Sequence, residues 1–85
     1  MKSHKLLKKL KRFMSAEKRD QIAQRDSLKD LLKKLRKRRD ALKEALEEAD
    51  SKAERQRIQE KITILNVQRR KGVTLLQQLQ DKDQG

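Results

Sequence analysis

Apolar residues recur at helical spacing in two stretches of the sequence, and the two stripes that they form do not share a face. Leu28, Leu35 and Leu42 belong to the first stripe, and Ile58 and Ile62 begin the second. At about 100° per residue, one straight helix would turn the second stripe roughly 100–160° away from the end of the first. Because a single helix could not bury both stripes, the pattern predicts two helices that pack in antiparallel orientation.

The segment between the stripes predicts a tight reversal of the chain near residues 49–52. Ser51 and Glu54 have the spacing of a capping box, in which both side chains bind backbone N–H groups at a new helix start. Since the segment contains neither Gly nor Pro, the alternative is one long helix with a kink. A reversal here pairs apolar residues, namely Leu42 with Ile58, Leu35 with Leu65, and Leu28 with Gly72 or Val73.

Two places weaken this pattern. Residues 15–27 put polar side chains, among them Gln21 and Gln24, at positions where the stripe requires apolar ones. Gly72 lies inside the second helix, where glycine costs about 1 kcal/mol relative to alanine. We therefore expect loose packing in residues 15–27 and a bend or frayed turn at Gly72.

The N-terminal segment, residues 1–14, is basic and amphipathic. Pairing of the two helices leaves it beyond the end of the return helix, so we expect it to overhang. It would then pack on a second protomer, fold back on the helical pair, or bind another partner. Its apolar stripe is the predicted partner-docking site and consists of Leu6, Leu7, Leu10, Phe13 and Met14.

Composition supports an all-α fold without a large core. The 85 residues are 33% hydrophobic with one aromatic side chain, no proline and two glycines, so extended helix is the regular structure that the composition favours. The predicted fold is an antiparallel, coiled-coil-like two-helix hairpin that assembles into a helical bundle as a homo-oligomer. Its predicted divisions are the basic segment 1–14, the hairpin 15–82 and a disordered tail 83–85.

Positive charge is concentrated in the first half of the chain. Residues 1–39 contain 16 Lys or Arg against 4 acids, whereas residues 40–60 contain 4 against 7. Such density favours a polyanion, most of all nucleic acid bound through its backbone, although a solvated helix surface would show the same pattern. The predicted polyanion-binding residues are Lys33, Lys34, Arg36, Lys37, Arg38 and Arg39, joined across the hairpin by Arg69, Arg70 and Lys71.

Other function classes find little support in the sequence. The chain has no cysteine and one histidine, His4, so we expect no disulfide, no zinc site, no cofactor and no enzymatic activity. No apolar run exceeds two residues, which predicts a cytoplasmic protein without a signal peptide or membrane span. A mitochondrial presequence is the alternative for the basic start.

Two further functions stay open beside nucleic-acid binding. An adaptor or structural coiled-coil subunit would use the N-terminal stripe to dock on a protein, with an acidic partner favoured by the net charge of +12. Peripheral membrane binding through the same stripe is less favoured because the stripe is short and lacks Trp.

Overall fold

The computed structural model describes the backbone of residues 3–84 and the side chains of residues 4–80. This part of the chain is helical throughout, apart from short connections, and contains no strand, which confirms the all-α class. The helices are α1 (Ser3–Ser15), α2 (Lys18–Ala23), α3 (Arg25–Glu48) and α4 (Lys52–Gln84). Residues 1 and 2 of the predicted basic segment and residue 85 of the predicted tail lie outside the described residues, as do the side chains of 83 and 84.

The chain reverses between α3 and α4 at residues 49–51, where the sequence predicts the turn. Ala49 has extended backbone angles, which ends α3. The Ser51 hydroxyl accepts a hydrogen bond of 3.1 Å from the Glu54 backbone N–H, so one donor at the start of α4 is satisfied. Arg69 Nε lies 3.4 Å from the Leu32 carbonyl oxygen, at an equal distance along the chain from the reversal. This contact shows that α4 runs back along α3.

Helix α1 folds back on the helical pair, which is one of the three outcomes that the sequence left open for residues 1–14. The chain leaves helical geometry at residues 16 and 17, where Glu17 is extended, and α1 folds back against both α3 and α4. Leu6 and Leu10 on α1 are buried, with 2% and 0% of their surface exposed. The sequence left this outcome open because local spacing does not show whether the first helix continues past residue 15.

Gln21 explains how this fold-back is held. Its side chain is 7% exposed, and its Nε2 donates to the carbonyl oxygens of Phe13 at 3.0 Å and Met14 at 3.2 Å. The last carbonyls of a helix have no partner within the helix, so a side-chain donor from the next helix satisfies them. The polar residue that interrupts the stripe therefore caps the end of α1.

Gly72 is the point where three helices meet. Helix α4 continues through this residue without interruption, so the expected frayed turn is absent. A Cβ atom at Gly72 would lie 2.7 Å from Leu32 Cδ2 and 3.1 Å from Leu10 Cδ1. The missing side chain lets α1 and α3 approach α4 closely. The side chains nearest to this Cβ position are thus those of Leu32 and Leu10, whereas the pairing of the two helices predicted Leu28.

The molecule is a rod of 50 × 19 × 17 Å. Since each helical residue rises about 1.5 Å, the 33 residues of α4 span its whole length. Helix α1 covers α3 and α4 in the part of the rod that we call the stem. The opposite end, the tip, is formed by residues 40–60 and contains only the ends of α3 and α4. The core lies along the rod and consists of Leu6, Leu10, Leu28, Leu31, Leu32, Leu35, Leu42, Ile62, Leu65 and Leu79.

Candidate polyanion-binding surface

Three of the predicted cations come together where α3 and α4 pack. Arg36 and Arg39 lie one turn apart on α3, and Arg69 reaches across from α4 to donate its Nε–H to the Leu32 carbonyl oxygen at 3.4 Å. We call Arg36, Arg39 and Arg69 the arginine cluster. In the sequence, Arg69 lies 30 positions after Arg39 and 33 after Arg36.

In the unliganded protein, the positive charges of Arg36 and Arg39 disfavour the charged form of Arg69. Partial burial lowers the pKa of Arg69 most, and the neighbouring guanidinium groups of Arg39 and Arg36 lower it further. Asp40 opposes this effect in part, and its Oδ1 lies 3.2 Å from a terminal nitrogen of Arg39. The charged form of Arg69 is therefore less favourable here than in water, because like charges are held close to a partly desolvated side chain.

The other predicted cations lie on more than one face of the stem. Lys34 lines a groove between α1 and α3, together with Leu6 and Lys9. Lys71 lines a different groove, between α1 and α4. Exposed side chains are found at Lys33, Lys37 and Arg70, and Arg38 is half-buried. Six cations in seven consecutive helical residues point in nearly all directions, so one flat surface cannot contain them.

The predicted partner-docking stripe is covered by the chain itself. Leu6 and Leu10 are buried in the core, and Leu7, Phe13 and Met14 are partly buried against it. Docking of a partner on this stripe stays a prediction. Use of Leu6 and Leu10 would require α1 to leave the core, whereas Leu7 and Met14 stay accessible in the α1–α4 groove. Peripheral membrane binding through the stripe would require the same change.

The described residues form neither a metal-binding cluster nor a membrane-spanning helix. Among the described residues, no group of three or more His, Cys, Asp or Glu side chains could hold a metal ion. None of the helices in the described part of the chain combines the length and the apolar character needed to cross a membrane. His4 is exposed at the edge of the α1–α4 groove.

Sequence reasoning missed the α1–α4 groove itself. The groove brings Lys8 and Lys11 of α1 near Ile64 and Lys71 of α4. Lys8 and Lys11 have the spacing of neighbours on one helix face, which the sequence does show. The fold-back at residues 16 and 17 decides which helix this face of α1 contacts. The sequence did not determine that fold-back.

The chain matches no protein-family model, no curated protein and no solved structure.

Proposed function

We propose that this protein is a non-enzymatic binding protein whose arginine cluster contacts the phosphate backbone of nucleic acid. The observation that supports the proposal is the proximity of Arg36, Arg39 and Arg69 across two helices, where partial burial lowers the pKa of Arg69 most and the two neighbouring guanidinium groups lower it further. A row of phosphates would replace like-charge repulsion by attraction. Arginine suits this role, since its planar fork can donate two parallel hydrogen bonds to one phosphate.

Contacts to the backbone rather than to bases fit the composition of the surface. Phe13 is the sole aromatic residue of the sequence, and it packs against the core. Without exposed aromatic side chains the protein has no platform on which unpaired bases could stack. We therefore expect affinity that depends little on sequence and falls steeply with salt.

The test compares two triple variants with the same change in net charge. The first, Arg36→Gln with Arg39→Gln and Arg69→Gln, neutralises the arginine cluster. The matched control neutralises exposed cations of the tip, through Lys43→Gln, Arg55→Gln and Arg57→Gln. Binding of a fluorescein-labelled DNA duplex is measured by anisotropy between ~50 and ~200 mM salt.

We expect the cluster variant to reduce the slope of log affinity against log salt by about three, and the tip control to leave most of the slope unchanged. Equal losses in both variants would show that net charge alone drives binding. Absence of binding by the unmodified protein at low salt would remove the proposal altogether.

We also propose that copies associate into a helical bundle, the finer form of the hairpin prediction. Its support is the tip, where α3 and α4 cover each other without a third helix, and where Leu46 and Ile58 remain half-buried. Association would bury more of this apolar surface. Light scattering over a concentration series would give twice the monomer mass of 10.1 kDa or more. A constant monomer mass at the highest concentration would contradict this proposal and leave nucleic-acid binding untouched.

A further inference from the structure

The α1–α4 groove has an apolar floor and a cationic rim. Leu7 and Met14 of α1 and Ile64 of α4 provide apolar surface. Lys8 and Lys11 flank the groove on one side, and Lys71 flanks it on the other. Among the described residues, none that lines the groove is acidic.

Ile64 makes this surface unusual for the molecule. Its side chain is 54% exposed, whereas most large apolar residues of the described chain are buried or half-buried. An exposed apolar residue alone needs no explanation. Here, however, it extends a floor made by two other apolar residues, and lysines from two helices surround that floor.

We propose that the α1–α4 groove binds an acidic amphipathic helix of a partner protein. Apolar anchors one or two turns apart on such a helix would contact Leu7, Met14 and Ile64. Acidic residues beside the anchors would face the lysines, and this complementarity would select an acidic helix over a basic one. The surface is separate from the arginine cluster, so the inference does not depend on nucleic-acid binding.

The groove between α1 and α3 differs from the α1–α4 groove in the charge of its lining residues. That groove also contains Lys9, Arg12 and Lys34, but Asp20 and Asp30 lie along it. Its cations have acidic neighbours within the chain, whereas the rim of the α1–α4 groove has none among its described lining residues. The α1–α4 groove is therefore the more favourable of the two grooves for an acidic ligand.

A second copy of this chain is a poorer occupant. The acidic segment, residues 40–60, contains Leu42, Leu46 and Ile58 as its larger apolar residues. Leu42 is buried, and Leu46 and Ile58 pack partly against the core. Leu46 and Ile58 lie on two different helices, so the acidic part of the chain offers no single apolar helix face to the groove of another copy.

The experiment uses the full chain and a synthetic probe. The probe is a fluorescein-labelled peptide of Leu, Glu and Ala whose leucines recur at helical spacing, and its control is a scrambled peptide of identical composition. Binding is measured by anisotropy. The site is located by NMR on protein labelled at the methionine and isoleucine methyl groups, which places reporters at Met14 and Ile64 inside the groove and at Ile22 on α2.

Variants of groove residues are compared with variants elsewhere on the surface to test whether the peptide binds in the groove. Ile64→Glu and the pair Lys8→Glu with Lys11→Glu alter the groove at side chains that are exposed. Their controls are Val67→Glu, at a 46% exposed residue of α4 outside the groove lining, and Lys9→Glu with Arg12→Glu in the other groove. Circular dichroism verifies that every variant remains helical.

We expect the amphipathic peptide to shift the Met14 and Ile64 signals while leaving Ile22 unchanged. Both groove variants should weaken binding at least tenfold and the controls less than threefold, and the scrambled peptide should bind weakly. Equal weakening by groove and control variants would overturn the proposal, as would shifts confined to other methyl groups. A change in oligomeric mass on Ile64→Glu without loss of peptide binding would assign the groove to a second copy and overturn it too.

Discussion

Gln21 shows how one polar side chain determines the path of the chain. Two hydrogen bonds from its Nε2 satisfy the Phe13 and Met14 carbonyl oxygens at the end of α1. The sequence alone makes Gln21 a defect in the apolar stripe, since a glutamine in a two-helix seam has no partner to bind. Only with α1 folded back do the two carbonyls come within reach.

Replacement of Gln21 by methionine should lower the free energy of unfolding. The side chain keeps its length and apolar body, but the Met14 carbonyl oxygen loses the Gln21 donor and the Phe13 carbonyl oxygen keeps only the Ala16 N–H. We expect a loss of about 1–3 kcal/mol. Urea unfolding followed by circular dichroism measures this loss. Gln24→Met, at an exposed neighbour, is the control and should change stability by less than about 0.5 kcal/mol. Equal stability of the two variants would mean that the Gln21 hydrogen bonds contribute nothing net.

Gly72 provides a second test at the residue scale. A β-branched side chain there would overlap Leu32 and Leu10, because even a Cβ lies 2.7 Å from a Leu32 methyl carbon. We expect Gly72→Ile to destabilise the fold by about 1–3 kcal/mol through overpacking, more than offsetting the gain in helix propensity. Gln59→Ile, on the exposed surface of α4, is the control. Unchanged or increased stability of Gly72→Ile would contradict the close approach of three helices.

At the scale of elements, the position of α1 distinguishes a three-helix stem from a helical pair with a free arm. Leu10 is fully buried where α1 meets α4, whereas Leu7 is half-buried at the edge of the groove. The same helix therefore contains one leucine that anchors it and one that stays accessible. In a free N-terminal arm, Leu7 and Leu10 would be similarly exposed.

Leu10→Ala should destabilise the protein by about 2–5 kcal/mol, because it leaves a cavity among buried leucines. Leu7→Ala should cost markedly less. Limited trypsin digestion should also cleave Leu10→Ala faster than Leu7→Ala within the lysine-rich sequence of α1, since release of the helix exposes its backbone. Equal cleavage rates and equal stabilities would indicate that α1 is not docked.

At the scale of the whole molecule, charge opposes folding. The chain carries a net charge of +12, and the arginine cluster holds three of its cations close together. Exposed ion pairs contribute little to stability, so repulsion among the excess cations is the larger effect. A ligand that supplies negative charge would stabilise the folded form by binding it preferentially.

Added NaCl should therefore raise the melting temperature of the unliganded protein. Screening of about 1 kcal/mol of repulsion corresponds to roughly 4–8 °C in a domain of this size. Thermal unfolding by circular dichroism at low and high salt measures the change, and the Gln variant of the arginine cluster should respond less. A melting temperature that falls with salt would show that attractive ion pairs dominate.

Much of the fold could be predicted because it depends on near neighbours in the sequence. Helical spacing of leucines, the serine hydroxyl at Ser51 and the reversal at residues 49–51 are all matters of a few adjacent residues. The asymmetry of charge is also a property of the sequence alone. These features would persist in any arrangement of the helices.

Tertiary structure alone decided where α1 lies and which cations meet. The sequence proposed nine cations for one site, and packing placed Arg36, Arg39 and Arg69 together while Lys34 and Lys71 line separate grooves. These outcomes depend on the axial offset and the rotation of one helix against another. A shift of one residue changes that rotation by about 100°. Contacts between residues that are distant in the sequence set the offset and the rotation. The local periodicity of apolar residues carries no information about these contacts.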